Sequence, residues 1–100
     1  MTKAEGIQGQ VFESVWDALE DSPAEAANMR LRSELMIAIR QAVAEWSTTQ
    51  AAAARRLEVT QPRLNDLLRG RINNFSLDAL TVLAARAGLD VRVQIERAAA

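Results

Sequence analysis

The sequence predicts a mainly α-helical domain of five helices that closes on a single C-terminal β-strand. Three observations carry this expectation. Much of the 49% apolar fraction is alanine, a strong helix former, while aromatic residues make up only 4%. Ser22, Thr49, Thr60 and Ser76 each stand just ahead of a run with helical apolar spacing, where N-caps belong. Near the end the period changes from that of a helix to that of a strand. One hundred residues suffice for one domain with a modest core.

Residues 1–10 are polar, contain Gly6 and Gly9, and read as a disordered tail. Val11, Phe12, Val15, Trp16 and Leu19 then fall on one face of a short amphipathic helix, which with its linker occupies 11–22. Ser22-Pro23-Ala24-Glu25 has a capping residue, a proline at the first helical position and an acid to complete a capping box. The helix it opens should reach about Trp46. Leu31, Leu35, Ile39, Ala42 and Trp46 form one stripe on it, and Met29, Met36 and Val43 a second. The run Leu35–Ile39 is apolar almost all round, which suits burial on more than one side, either in a core or against a dimer mate or other partner.

Thr49 caps a helix over Gln50–Leu57, and a turn at Leu57-Glu58-Val59 leads to Thr60, which caps Gln61–Arg69 with Pro62 in the first turn. Gly70 stops that helix, and Asn73-Asn74 make a loop. Ser76 caps Leu77–Ala87, Asp78 lies near the positive helix end, and Gly88 terminates it. From Leu89 to Glu96, Val91, Val93 and Ile95 alternate with Arg92, Gln94 and Glu96, the pattern of a half-buried strand. A lone strand leaves its backbone groups unpaired. The segment 89–97 is therefore expected either to pair antiparallel with its copy in a homodimer, or to remain a loose tail. The helical unit between linker and strand spans 23–88.

The chain has neither Cys nor His, which removes disulfides, thiol or imidazole nucleophiles and nearly all zinc sites. Its glycines form no phosphate-cradling loop, and Glu20-Asp21 reads as a solvated pair before Ser22-Pro23. The expectation is a protein without enzymatic activity, cofactor or metal. There is no apolar run near the ~18–20 residues of a membrane span, and MTKAEGIQGQ has no signal-peptide core, so a cytoplasmic location is expected. Asn74-Phe75-Ser76 matches a glycosylation acceptor only by its letters.

The net charge of −1 conceals a split. Residues 1–47 carry a net −4, whereas residues 48–72 carry Arg55, Arg56, Arg63, Arg69 and Arg71 against Glu58 and Asp66, a net +3. This basic stretch is also where two short helices follow one another across a tight turn. Ala54 is small where the helices would cross, Val59 and Leu64 can fill the angle between them, and Leu57, Leu67 and Leu68 face inward. That is the layout of a helix-turn-helix, whose second helix enters the DNA major groove.

Thr60, Gln61, Pro62, Arg63, Asn65 and Asp66 remain outward on the second helix as candidate base readers. Gln and Asn suit adenine, Arg suits guanine, and Pro62 or the Thr60 methyl can pack on thymine. Asp66 either accepts from cytosine or pairs with Arg63 or Arg69 on its own helix. Thr49 and Gln50, at a helix N-terminus, together with Arg69, Arg71 and Asn73, are candidate phosphate ligands.

The segments TQAAAARRLEVTQPRLNDLLRG and RINNFSLDALTVLAARAGLDVRV resemble the Xre/Cro-type helix-turn-helix family, and more narrowly the HigA-like antitoxins. The resemblance covers about residues 11–96 and is most specific over TQPRLNDLLRGRINNFSLDAL. It implies a small helical dimeric repressor that binds an inverted-repeat operator in double-stranded DNA and neutralises a RelE/HigB-type mRNA endonuclease toxin. Gln50 then corresponds to a phosphate-binding glutamine, and Gln61 to the main base-reading one, with Thr60, Pro62, Asn65 and Asp66 flanking it. Two residues depart from the pattern: Glu58 replaces the usual turn glycine, and Ala52 replaces an acid in the first cap.

Phe12 and Trp16, in the acidic front part, would contact the toxin or pack on the chain's own long helix. A stand-alone transcriptional regulator and a helical interaction module without DNA are the rival readings.

Overall fold

Serine and threonine caps set the helix starts. The computed structural model describes residues 22–98. Ser22, Thr49, Thr60 and Ser76 all hold extended backbone. Each side-chain oxygen accepts from the backbone N–H three residues on, at 3.2, 3.1, 3.3 and 3.1 Å respectively. These caps open α1 (Pro23–Glu45), α2 (Gln50–Leu57), α3 (Gln61–Leu68) and α4 (Leu77–Arg86). The bounds agree with the sequence reading to within a residue, and a 3-10 turn at Ile72–Asn74 forms where a loop is expected.

Three helices end in the same way. After α2, the N–H of Val59 reaches back to the Ala54 carbonyl at 2.9 Å and that of Glu58 to Arg55 at 3.1 Å. Gly70–Arg71 and Gly88–Leu89 repeat this double closure after α3 and α4. The pattern requires a left-handed residue, and Gly70 and Gly88 supply φ of 74° and 85° without a Cβ penalty. Glu58 adopts φ 60° and ψ 42°, so the turn keeps the helix-turn-helix geometry despite lacking glycine.

Arg86 supports that turn from α4. Its Nη1 donates to the Leu57 carbonyl at 3.2 Å, and its Nε lies 3.8 Å from Glu58 Oε2. Replacing Glu58 with Gly should remove a strain of about 1 kcal/mol and lose a surface ion pair worth roughly 0–1 kcal/mol. Thermal unfolding should therefore shift upward by a few degrees at most; a lower midpoint would show that the Arg86 pair outweighs the strain.

α1 packs along α4 and also touches α3 and the 3-10 turn, while α2 packs on α3 and α4. Ile39, Leu57, Leu64, Leu67, Phe75 and Leu80 are the largest side chains fully buried between them. Each such side chain contributes about 1.5–3 kcal/mol by leaving water. Met29 and Met36 join this core, with Leu35, Ala42, Val43 and Trp46 at its margin. Ile37 is 54% exposed, so among the described residues the apolar run Leu35–Ile39 is covered on one side.

The mainly α-helical expectation holds, but one of its parts does not appear and another falls outside the described residues. Residues 89–98 form neither helix nor strand, and there is no β-strand among the described residues. Val91, Val93 and Ile95, expected to be half-buried, are 38%, 62% and 89% exposed. A strand is defined by its ladder, and no strand among the described residues pairs with this segment. The first of the five expected helices, over 11–20 with Phe12 and Trp16, lies outside the described residues, as does the tail 1–10.

Candidate nucleic-acid interface

α2 and α3 are held at their crossing by small and branched residues. Ala53 and Ala54 are buried on α2, Leu64 and Leu67 on α3, and Val59 packs in the turn between them. With Leu64 and Leu67 locked inward, helical geometry turns Gln61, Pro62 and Asn65 outward. Gln61, Pro62 and Asn65 are exposed, and Thr60 stands exposed at the cap with its hydroxyl bonded to the Arg63 N–H. Four of the six candidate base readers are thus presented together on the first turns of α3.

Arg63 and Asp66 are placed differently, and both are only partly exposed. The Arg63 guanidinium lies 3.9 Å over the Phe75 ring and donates to the Asn74 carbonyl at 2.7 Å. It is bound to the turn that follows α3 rather than extended outward. Asp66 accepts from Arg71 Nη1 at 3.4 Å. Pairing of Asp66 within the chain is one of the two readings the sequence leaves open, although Arg71 lies beyond the helix and is not one of the partners expected by helical spacing.

The candidate phosphate ligands flank the reading helix. Thr49 caps α2, and Gln50 is exposed at its first position. Arg69, Arg71 and Asn73 are exposed after α3. An open groove of about 300 Å³ between the end of α1, the start of α2 and α3 is lined by Thr49 and Gln50 together with Arg40, Ser47 and Thr48. Arg40 has no side-chain partner among the described residues. In the sequence it counts only toward the charge of residues 1–47, because it lies eight positions before the basic stretch and only the fold brings it alongside.

Two other residues gain roles that the linear pattern does not show. Arg56 lies 3.9 Å over the Trp46 ring, joining α2 to the end of α1. Arg32 on α1 reaches the Ile72 and Phe75 carbonyls at 3.2 and 3.3 Å. The basic stretch therefore serves the fold as well as the surface. There is no group of acidic residues able to hold a metal ion among the described residues, and none of their helices is long and apolar enough to cross a membrane.

No curated protein matches the chain. A family model described as a helix-turn-helix domain matches residues 18–96, a span that contains α1 to α4 and the whole α2–turn–α3 unit. With most of its length matched and with Leu64, Val59 and Ala54 packed at the helix crossing, the chain belongs to this helix-turn-helix domain family.

Proposed function

We propose that the protein is a sequence-specific DNA-binding regulator that reads the major groove with α3 and acts as a homodimeric repressor. The observation that carries this reading is the exposed set Thr60, Gln61, Pro62 and Asn65, aimed outward from a helix whose opposite side is fixed in the core. Thr49, Gln50, Arg69, Arg71 and Asn73 flank it as phosphate ligands, which set affinity and register without reading sequence. The chain carries out no catalysis in this reading and needs no cofactor.

A mobility-shift titration on the gene's own upstream region tests it directly, with a scrambled duplex as reference. Arg71→Ala should weaken binding to every duplex and flatten the salt dependence by about one unit. Asp66→Ala should do the reverse, because it removes a negative charge beside the phosphates and frees Arg71. Lost discrimination at a single C·G pair in Asp66→Ala would instead make Asp66 a reader. Equal binding of all these proteins to all duplexes would eliminate the DNA-reading proposal.

The dimer part is supported by the exposed alternation of Val91, Val93 and Ile95, which a second copy of the same segment could cover while satisfying both backbones. Val93→Lys should then yield monomers in sedimentation, and the wild-type footprint should span two half-sites about 34 Å apart. A wild-type monomer with a single half-site footprint would contradict strand pairing.

An antitoxin role is a further step, motivated by the resemblance of residues 11–96 and by the net −4 of residues 1–47, which suits a basic ribonuclease toxin. Phe12 and Trp16 would anchor that contact. Co-purification with a small basic protein encoded next to this gene supports it, and the absence of such a neighbour leaves the stand-alone regulator.

A further inference from the structure

The four residues after the reading unit, Ile72 to Phe75, are gripped by two arginines from two different helices. From α1, Arg32 Nη1 donates to the Ile72 carbonyl at 3.2 Å and to the Phe75 carbonyl at 3.3 Å. Its Nε is steadied by Asn28 Oδ1 at 2.7 Å. From α3, Arg63 Nη1 donates to the Asn74 carbonyl at 2.7 Å, and its guanidinium lies over the ring of Phe75, which is 1% exposed. Three of the four carbonyls in this turn thus end on a guanidinium, and the exposed Asn73 sits among them.

The geometry points to Arg32 and Arg63 as positioning residues that fix Asn73 relative to α3, so that its phosphate contact falls in register with the bases that α3 reads. This rests on the DNA-binding proposal and changes the role of one residue within it: Arg63 acts through the turn and does not read a base. The planar guanidinium fork suits such a role because it can stack and donate at fixed angles, which an ammonium cannot do.

The consequence is specific. A loosened turn must be ordered again whenever the protein meets DNA, and that cost is the same for every sequence because phosphates carry no sequence information. A base reader, in contrast, loses discrimination at one position when it is removed.

The experiment uses the full chain with Arg63→Ala, Arg63→Lys and Arg32→Gln. Duplexes are selected from a randomised pool, and affinity is then measured for the selected duplex and for a scrambled one. Each variant should bind both duplexes about three- to tenfold more weakly and select the same bases as wild type. Arg63→Lys should fail to restore affinity, although it keeps the charge.

A second measurement needs no DNA. The Asn74 and Phe75 amides are bonded to the Arg71 and Ile72 carbonyls, whereas the Leu80 amide, bonded to the Ser76 carbonyl in α4, is the comparison outside the turn. Hydrogen exchange should quicken at Asn74 and Phe75 in all three variants while Leu80 is unchanged.

A lost preference at a single base pair in Arg63→Ala, with turn exchange as in wild type, would overturn the assignment. If wild type selects no duplex, the DNA-reading proposal fails. The exchange data still decide the clamp in that case, because unaltered exchange at Asn74 and Phe75 would overturn it alone.

Discussion

Phe75→Ala should leave the chain at the edge of folding. The ring is one of the largest fully buried side chains, and removing it creates a cavity that its neighbours can fill only in part. Truncations of this kind cost about 3–5 kcal/mol, against a total stability of roughly 5–15 kcal/mol for a whole domain. Two features place this site at the upper end of that cost. Phe75 precedes the Ser76 cap, and Leu80, fully buried on α4, stands where a hydrophobic staple needs its partner. The same ring carries the Arg63 guanidinium, so its loss also frees a cation above the cavity. Urea unfolding followed by circular dichroism measures the effect. Phe75→Leu, which keeps most of the volume, should cost far less; equal losses in the two variants would mean that the aromatic stack, and not the filled volume, is what the site requires.

Much of this architecture is legible in the chain because it depends on local chemistry. The N-caps Ser22, Thr49, Thr60 and Ser76 act through a bond spanning three residues, and Gly70 and Gly88 through one or two turns of backbone, so short windows of sequence reveal them. The inward set Ala54, Leu57, Leu64 and Leu67 follows from helical spacing and is buried as that spacing requires.

What the pattern cannot show is where long side chains end. Arg32 meets carbonyls forty and more positions away, and Arg63 turns back onto the eleventh residue after it. From the sequence Arg32 reads only as one charge of the acidic front part and Arg63 as a candidate base reader. The segment 91–96 differs for another reason, since a strand needs a paired neighbour and none of the described residues pairs with it. Residues 91–96 show the alternation, but alternation specifies a face and supplies no neighbour.

Gln61→Ala should abolish most sequence discrimination while leaving the fold intact. Gln61 occupies the first position of α3, is exposed, and alanine is at least as good a helix former, so the midpoint of unfolding should not move downward. Loss of a bidentate contact to a base edge costs about 1–3 kcal/mol, or roughly five- to a hundredfold in affinity for the selected duplex. Gln61 is neutral, so affinity for a scrambled duplex and its salt dependence should stay at the wild-type values. The variant thereby separates reading from phosphate attraction, which Arg71→Ala changes in the opposite way. It also tests symmetry. A dimer on an inverted repeat makes the Gln61 contact twice at well-separated sites, and such losses add in free energy. The fold-loss on the full repeat should then approach the square of the loss on an isolated half-site. Equal losses on the two duplexes would mean that one copy of α3 reads alone.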